Sequence, residues 1–265
     1  MMKKVINGLS VFLSAENESN AIVFVHGFPY DHLMWQAQVE ELSKEYFCVT
    51  YDIRGLGEST VGDGQFTMEM LVDDLEKIID ELKLSQPVLC GLSMGGYISL
   101  RAVERMQDKL RALILCDTKS TADDDEGKLK RATAIKQINL GKFDPFIDSF
   151  VLNCFGEKFI KENNEEYRKV VERSKKNNTL GVKGCLLAMA GRTDTTGNLP
   201  KIKLPTLIIC GSEDKLTPSS VMKPMAEQIP NSEFILVESA GHMTPIEYPK
   251  VVSRAIKDFL KRNGI

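Results

Sequence analysis

The sequence predicts an α/β protein: a doubly wound, mostly parallel sheet interrupted by an inserted helical cap. Three observations carry that expectation. Short apolar runs alternate with longer segments of helical periodicity over residues 21–116, and strands that are apolar at every position need covering on both faces, as in a parallel sheet. The strand signal then disappears between about residues 120 and 199 and resumes afterwards. Finally, the run Pro87-Val88-Leu89-Cys90 ends in Gly91-Leu92-Ser93-Met94-Gly95 with a helix pattern directly behind it, a strand, sharp turn and helix in immediate succession.

Taken in order, residues 4–6 and 9–14 flank Asn7-Gly8, the dipeptide of a two-residue hairpin, which places antiparallel strands at one edge of the sheet. Residues 21–25 are an apolar strand ending in His26-Gly27-Phe28-Pro29, residues 34–45 read as helix, and residues 47–51 are a β-branched and aromatic strand leading into Asp52-Ile53-Arg54-Gly55-Leu56-Gly57-Glu58-Ser59. Met68, Leu71, Leu75, Ile78, Ile79 and Leu82 recur at helical spacing over residues 68–84. After the turn at Ser93 come a helix over 95–106 and a strand over 112–116. Thr121-Ala122-Asp123-Asp124-Asp125-Glu126 reads as a helix cap followed by an acidic first turn matched to the helix dipole, in preference to a metal-binding cluster. Residues 143–155, 167–175 and 182–190 are helical or apolar segments separated by Gly- and Asn-rich breaks. Strands at 206–210 and 233–237 alternate with helices at 219–228 and from Pro249 to about Arg262. Residues 1–119 and 200–265 are thus expected to form the core, with residues 120–199 as the inserted cap.

Composition narrows the function. In 265 residues, 43% hydrophobic content supplies a sizeable core. A net charge of -3 and a pI near 5.8 give no electrostatic footprint for nucleic acid or an anionic membrane surface. The six cysteines form no Cys-x-x-Cys pair and several sit inside apolar runs, so they read as free thiols of a cytoplasmic protein. Met1-Met2-Lys3-Lys4-Val5-Ile6 imitates the start of a signal peptide, but Asn7-Gly8 interrupts the apolar segment. No apolar run approaches the length of a membrane span. No metal or organic cofactor is called for, and the sequence carries no signal of oligomeric state.

The chemistry is expected around Ser93. A serine on a strand-to-helix turn has strained dihedrals, and glycines two residues to either side are needed because a side chain there would collide with its neighbours. The result is an exposed hydroxyl beside the first free N–H groups of a helix, a nucleophile with half an oxyanion hole. A serine that merely caps the helix is the alternative. A serine hydroxyl at neutral pH needs a histidine base and a carboxylate that orients it. Of the three histidines, His242 lies just past the last predicted strand, at the carboxyl ends where ligands of a doubly wound sheet bind. His26 reads as a brace for its own loop and His32 as a surface residue. For the acid, Asp214 follows strand 206–210 and Asp117 follows strand 112–116; both occupy a suitable end. Glu213 would point elsewhere. The order Ser93, Asp214, His242 is that of hydrolases built on a strand-turn-helix nucleophile.

Through His26-Gly27-Phe28-Pro29, Asp52 to Ser59, Gly91 to Gly95, Gly211 to Asp214 and Gly241-His242, the chain resembles the α/β-hydrolase superfamily. Within it the likeness is to the capped esterase, enol-lactonase and haloperoxidase-like branch. The resemblance spans the core and leaves residues 120–200 uncovered. It implies the α/β-hydrolase fold, with Ser93 as nucleophile, His242 as base, Asp214 as acid, and the N–H groups of Phe28 and Met94 as the oxyanion hole. It also implies that Arg54 is a brace, and it sets Cys90, Cys116 and Cys210 in a row on consecutive strands. Dehalogenase and epoxide-hydrolase relatives carry aspartate at the nucleophile position, so serine speaks against both. The expected protein is a serine hydrolase, a carboxylesterase cleaving an ester of a small acid through an acyl-serine intermediate. Enol-lactone opening, C–C bond hydrolysis and perhydrolysis use the same triad, and a non-catalytic ligand-binding member of the fold is the alternative from another class. The partner is a small-molecule ester or lactone, with no nucleic acid and no membrane. Phe146, Phe150, Phe155 and Met189 are candidates for an acyl pocket, against the plainer reading that apolar residues at helical spacing are core.

Overall fold

Asn7 and Gly8 both adopt positive φ, 51° and 77°, the backbone a two-residue hairpin requires. Strand β1 (Met2–Ile6) therefore folds straight back onto β2 (Leu9–Leu13). The computed structural model describes residues 1–15 and 20–265. The chain continues through β3 (Ala21–Val25), a 3-10 turn at His32–Trp35, α1 (Gln36–Leu42), β4 (Phe47–Tyr51), α2 (Met68–Glu81), β5 (Val88–Leu92), α3 (Met94–Met106) and β6 (Ala112–Cys116). Helices α4 (Asp125–Asn139), α5 (Phe143–Leu152), α6 (Glu157–Glu162), α7 (Asn164–Lys175) and α8 (Thr179–Ala190) are inserted before β7 (Thr206–Gly211). Then come α9 (Ser219–Glu227), β8 (Ser232–Val237), α10 (Thr244–Glu247) and α11 (Pro249–Arg262).

Among the described residues the strands form one 8-stranded sheet in the order β1-β2-β4-β3-β5-β6-β7-β8. Strand β2 pairs antiparallel with β1 and β4, and every other pairing is parallel. Alternate residues of each parallel strand feed opposite apolar layers: Val23, Leu89, Leu113 and Ile208 one, Phe24, Cys90, Ile114 and Ile209 the other. That is why these strands read as unbroken apolar runs. Pairings Val25 to Gly91, Leu92 to Cys116, Cys116 to Ile209 and Gly211 to Val237 keep the carboxyl ends nearly level. The loops carrying Phe28, Ser93, Asp117, Asp214 and His242 consequently leave the sheet along one edge.

The acidic stretch 121–126 leads into α4, with the cap at Asp124, whose Oδ1 accepts the Gly127 N–H at 2.8 Å, and with Asp125 and Glu126 in the first turn; Thr121, Ala122 and Asp123 precede the helix. Two short helices, α6 and α10, were not expected; neither is long enough to display a 3.6-residue period. The three cysteines of β5, β6 and β7 do not lie in one row. Cys90 and Cys116 face the second layer, but Cys116 pairs with Ile209, so Cys210 is one residue out of step and points to the first. A one-residue offset reverses the face in a strand.

All six cysteines are free and buried, and burial pushes the Cys48 and Cys154 thiols up to about 12, which removes the reactive thiolate. Native protein should therefore offer no fast-reacting thiol to a disulfide reagent, with all six titrating after denaturation. A stoichiometric burst from native protein would contradict this placement.

Candidate active site

Ser93 sits between β5 and α3 with φ 53° and ψ −115°, a conformation that costs a non-glycine residue on the order of 1–3 kcal/mol. Its surroundings hold it there. The Ser93 N–H donates to Cys116 O at 3.0 Å, while Ser93 O accepts from Tyr97 N–H at 3.0 Å and Thr118 Oγ1 at 2.8 Å. A Cβ on Gly91 would strike Gly95 O and the Ser99 hydroxyl, and one on Gly95 would strike the carbonyls of Val25 and His26. The two glycines are thus fixed by the approach of helix to strand, as the spacing predicts. The oxyanion-loop candidate lies against this turn: a Cβ on Gly27 would come within 3.3 Å of Ser93 Cβ. Among the described residues, neither the Phe28 nor the Met94 N–H has an acceptor.

His242 and Asp214 are brought together. The His242 Nδ1–H donates to Asp214 Oδ2 at 2.8 Å, and Thr217 Oγ1 donates to the same oxygen at 2.6 Å. Asp214 Oδ1 accepts the N–H groups of Leu216 and Thr217 at 2.8 and 3.0 Å. Burial opposes the charge on Asp214, but His242 and these donors outweigh it and bring the carboxyl down to about 2. Burial likewise opposes the imidazolium, yet Asp214, with Asp117 and Glu247, outweighs it and raises His242 above its ordinary value. No hydrogen bond joins Ser93 to His242 among the described residues. The hydroxyl and the imidazole share the sheet edge without a hydrogen bond between them.

A family model described as the alpha/beta hydrolase fold matches residues 20–249. The chain belongs to that family. It is 29% identical to 3-oxoadipate enol-lactonase 1 of Acinetobacter baylyi, over 96% of this chain and 93% of the relative. It is 28% identical to a non-heme chloroperoxidase of Kitasatospora aureofaciens, over 97% and 98% of the two. Among solved structures, a thermophilic esterase from Thermogutta terrifontis with malate bound superposes with a TM-score of 0.93 at 32% identity, covering 99% of both chains. The protein is an α/β-hydrolase of the esterase, enol-lactonase and haloperoxidase-like branch.

Within this α/β-hydrolase the competing carboxylate, Asp117, is occupied elsewhere. Its Oδ1 accepts the Gly211 N–H at 2.9 Å and its Oδ2 the Thr244 hydroxyl at 2.6 Å. Burial, followed by repulsion from Asp214, pushes its pKa well up. His26 is fully buried and braces its loop, donating from Nδ1 to Gly27 O and accepting the Ile53 N–H at Nε2. Arg54 is also a brace, paired through Nε and NH2 with Asp74 at 2.8 and 2.5 Å. His32 departs from expectation. It is mostly buried, stacked on Phe12 at 3.5 Å, and donates from Nδ1 and its backbone N–H to Asp52 Oδ1, both at 2.8 Å.

The inserted helices meet the oxyanion-loop candidate through Phe146 and Phe150, whose ring centroids lie 6.4 and 5.3 Å from that of Phe28. Phe155 instead stacks on Phe159 and meets Tyr167 edge-on, inside the insertion and away from Phe28. Thr217 and Glu247 escaped the sequence reading. An Asp-x-x-Thr turn could have found Thr217, as Thr217 N–H and Oγ1 both bond Asp214. Glu247 had no usable signal in a four-residue helix. Among the described residues no group of three or more His, Cys, Asp and Glu could hold a metal ion.

Burial opposes the Asp52 charge, but the His32 hydrogen bond, His26 and the Glu58 N–H outweigh it and hold its pKa below the ordinary value. A depressed carboxyl pKa adds stability above the unfolded value that is lost as pH falls. Asp52→Ala strands three N–H donors, so it should cost about 3 kcal/mol, or roughly 6–12 °C in Tm. The difference from wild type should narrow below about pH 4. A Tm shift under ~2 °C at neutral pH, by calorimetry, would refute the brace.

Proposed function

We propose that this α/β-hydrolase is a serine hydrolase, a carboxylesterase that cleaves an ester of a small acid through an acyl-serine intermediate. The observation that carries the reading is the buried chain Thr217–Asp214–His242, level with a strained, partly exposed Ser93. His242 Nε2 takes the proton from Ser93 Oγ as that oxygen attacks the ester carbonyl, and Asp214 stabilises the imidazolium without itself taking the proton. The N–H groups of Phe28 and Met94 receive the oxyanion, assisted by the N-terminus of α3. Collapse passes the proton to the leaving alcohol, and water, activated by His242, then releases the acid. The contact between Ser93 and His242 closes on substrate binding, as such bonds do in many unliganded enzymes. Residues 120–199 act as the cap over the site, with Phe146 and Phe150 on the acyl side. The cytoplasmic assignment rests on the buried free thiols.

Lactone opening is the second reading, favoured by the enol-lactonase relative. It follows the same steps with the leaving alcohol tethered to the acid. A hydrolysis panel of p-nitrophenyl esters of rising chain length, lactones and a vinylogous diketone separates the readings by relative kcat/KM. A protein inert toward the whole panel would leave the non-catalytic alternative.

A fluorophosphonate should label Ser93 and abolish turnover, and Ser93→Ala should lose both label and activity; an adduct mapped to another serine refutes the mechanism. Asp214→Asn should lower kcat by about four orders of magnitude, about 5.4 kcal/mol at 1.36 per decade, in protein still folded at the assay temperature but with a lowered Tm, since the depressed carboxyl pKa adds stability. Asp117→Asn should lose less than about tenfold. The base must be neutral to work, so kcat/KM should fall as pH drops through a His242 pKa lying above 6.5. In Asp214→Asn that limb should move to lower pH. Phe146→Ala and Phe150→Ala should reorder the preference for ester chain length, and an unchanged ranking removes them from the acyl side.

A further inference from the structure

Four consecutive backbone N–H groups in the loop that carries His242 each have an acceptor. Gly241 and Met243 donate to the two oxygens of Glu247 at 3.1 and 3.2 Å, His242 to Cys154 O at 2.8 Å, and Thr244 to Asp117 Oδ2 at 3.4 Å. Glu247, 7% exposed, uses Oε2 a second time to accept the Gly156 N–H at 2.9 Å. Its contacts are all with donors, which suits the ionised carboxylate; burial raises its pKa against the pull of those N–H groups.

Residues 154–156 form the turn between α5 and α6, and they lie backbone to backbone against the loop of His242. A Cβ on Gly241 would come within 2.7 Å of Phe155 C and 3.0 Å of Cys154 O. A Cβ on Gly156 would come within 2.9 Å of Glu247 Oε2 and 3.1 Å of Ser239 O. One turn upstream, Phe150 packs on Phe28, and Cys154 Sγ donates to Phe150 O at 3.3 Å. The same short stretch of the insertion therefore touches both loops that frame Ser93.

We propose that Glu247 is a positioning residue for His242, its carboxylate joining the backbone of the histidine loop to the turn at residues 154–156, so that the seating of the inserted helices sets the imidazole. The proposal rests on His242 acting as the base. It predicts that kcat depends on a junction that touches no substrate. The groups that face His242 are Asp214 and the Thr217 hydroxyl from the loop after β7, Asp117 from the end of β6, and Glu247 from α10.

The test is steady-state hydrolysis of p-nitrophenyl acetate across pH by the full chain, with His242→Ala run alongside. Glu247→Gln replaces one acceptor by a donor facing an N–H and removes one negative charge from the imidazole's surroundings. It should lower kcat by about 10- to 100-fold with KM within about twofold, and move the acidic limb of kcat/KM to lower pH. Gly156→Ala crowds the same oxygen from the insertion and leaves the charge in place. It should lower kcat by about three- to tenfold with the limb unmoved. Glu247→Gln with wild-type kcat and pH limb, beside an inactive His242→Ala, overturns the proposal alone. A His242→Ala variant that keeps its rate overturns the base assignment and the proposal with it. Should Glu247→Gln fail to fold, Gly156→Ala decides: a fall in kcat at constant KM supports the coupling, and an unchanged kcat overturns it.

Discussion

The carboxyl edge of the sheet depends on how closely the first turn of α3 approaches the end of β3. At Gly95 the space that a Cβ would need is filled by the carbonyls of Val25 and His26, and at Gly91 it is filled by Gly95 O and the Ser99 hydroxyl. Neither position admits alanine without moving backbone. The chain reaches α3 from β5 only by reversing within one residue, which forces Ser93 to positive φ. The strain is offset by bonds from the next strand, Ser93 N–H to Cys116 O and Thr118 Oγ1 to Ser93 O. Because β3, β5 and β6 are in register, the same approach lays Gly27, the residue before Phe28, against the serine. Nucleophile and oxyanion hole, as proposed, are consequences of one packing constraint.

Once that edge is in place, its chemistry is a matter of where carboxylates end up. Asp52, Asp117, Asp214 and Glu247 are all buried along it, and each is given different partners. Asp52 gathers His32 and the Glu58 N–H and its pKa falls; Asp117 is buried beside Asp214 and its pKa rises. Each is buried, and the donors and charges around it decide the direction: Asp117 alone is pushed further up by another of these carboxylates, Asp214. Asp214 is the one among them whose neighbours include a side-chain hydroxyl, two N–H groups and the His242 ring. It keeps its charge most firmly, at about 2.

How much of this is legible in sequence follows from the range of the interactions. Gly91 is crowded by atoms of its own turn and helix, Gly95 O and the Ser99 hydroxyl, so the glycine spacing reports that crowding, whereas Gly95 meets Val25 and His26 from a distant strand. The parallel strands carry apolar residues on both faces, so β3 to β7 can be read as runs. His26 and Arg54 were legible as braces because they sit in motifs of recognisable order. His32 was not, since its partner Asp52 is twenty residues away and meets it only because β3 and β4 pair. Cys210 was misplaced because facing depends on register, and one residue of offset in the pairing with β6 turned it over. Phe155 reads like Phe150 in sequence, but the chain turns between them at the end of α5. Glu247 lies on a helix too short for any period, and its meaning depends on Gly156, 91 residues away.

The choice between Asp117 and Asp214 shows why position at a strand end does not by itself identify the acid. Both follow parallel strands at the same edge. To stabilise an imidazolium, a carboxylate must be charged and must direct an oxygen at the ring N–H. The oxygens of Asp117 are directed at Gly211 N–H and the Thr244 hydroxyl, where they tie β7 to the start of α10. Its depth, together with the neighbouring charge of Asp214, raises its pKa well above the usual carboxylate range. Asp214 directs Oδ2 at the ring, sharing it with the Thr217 hydroxyl, and uses Oδ1 for the N–H groups of its own turn. The two residues are also complementary, because the tie made by Asp117 holds Thr244, two residues past His242. One aspartate therefore meets the imidazole directly, and the other fixes the loop that presents it.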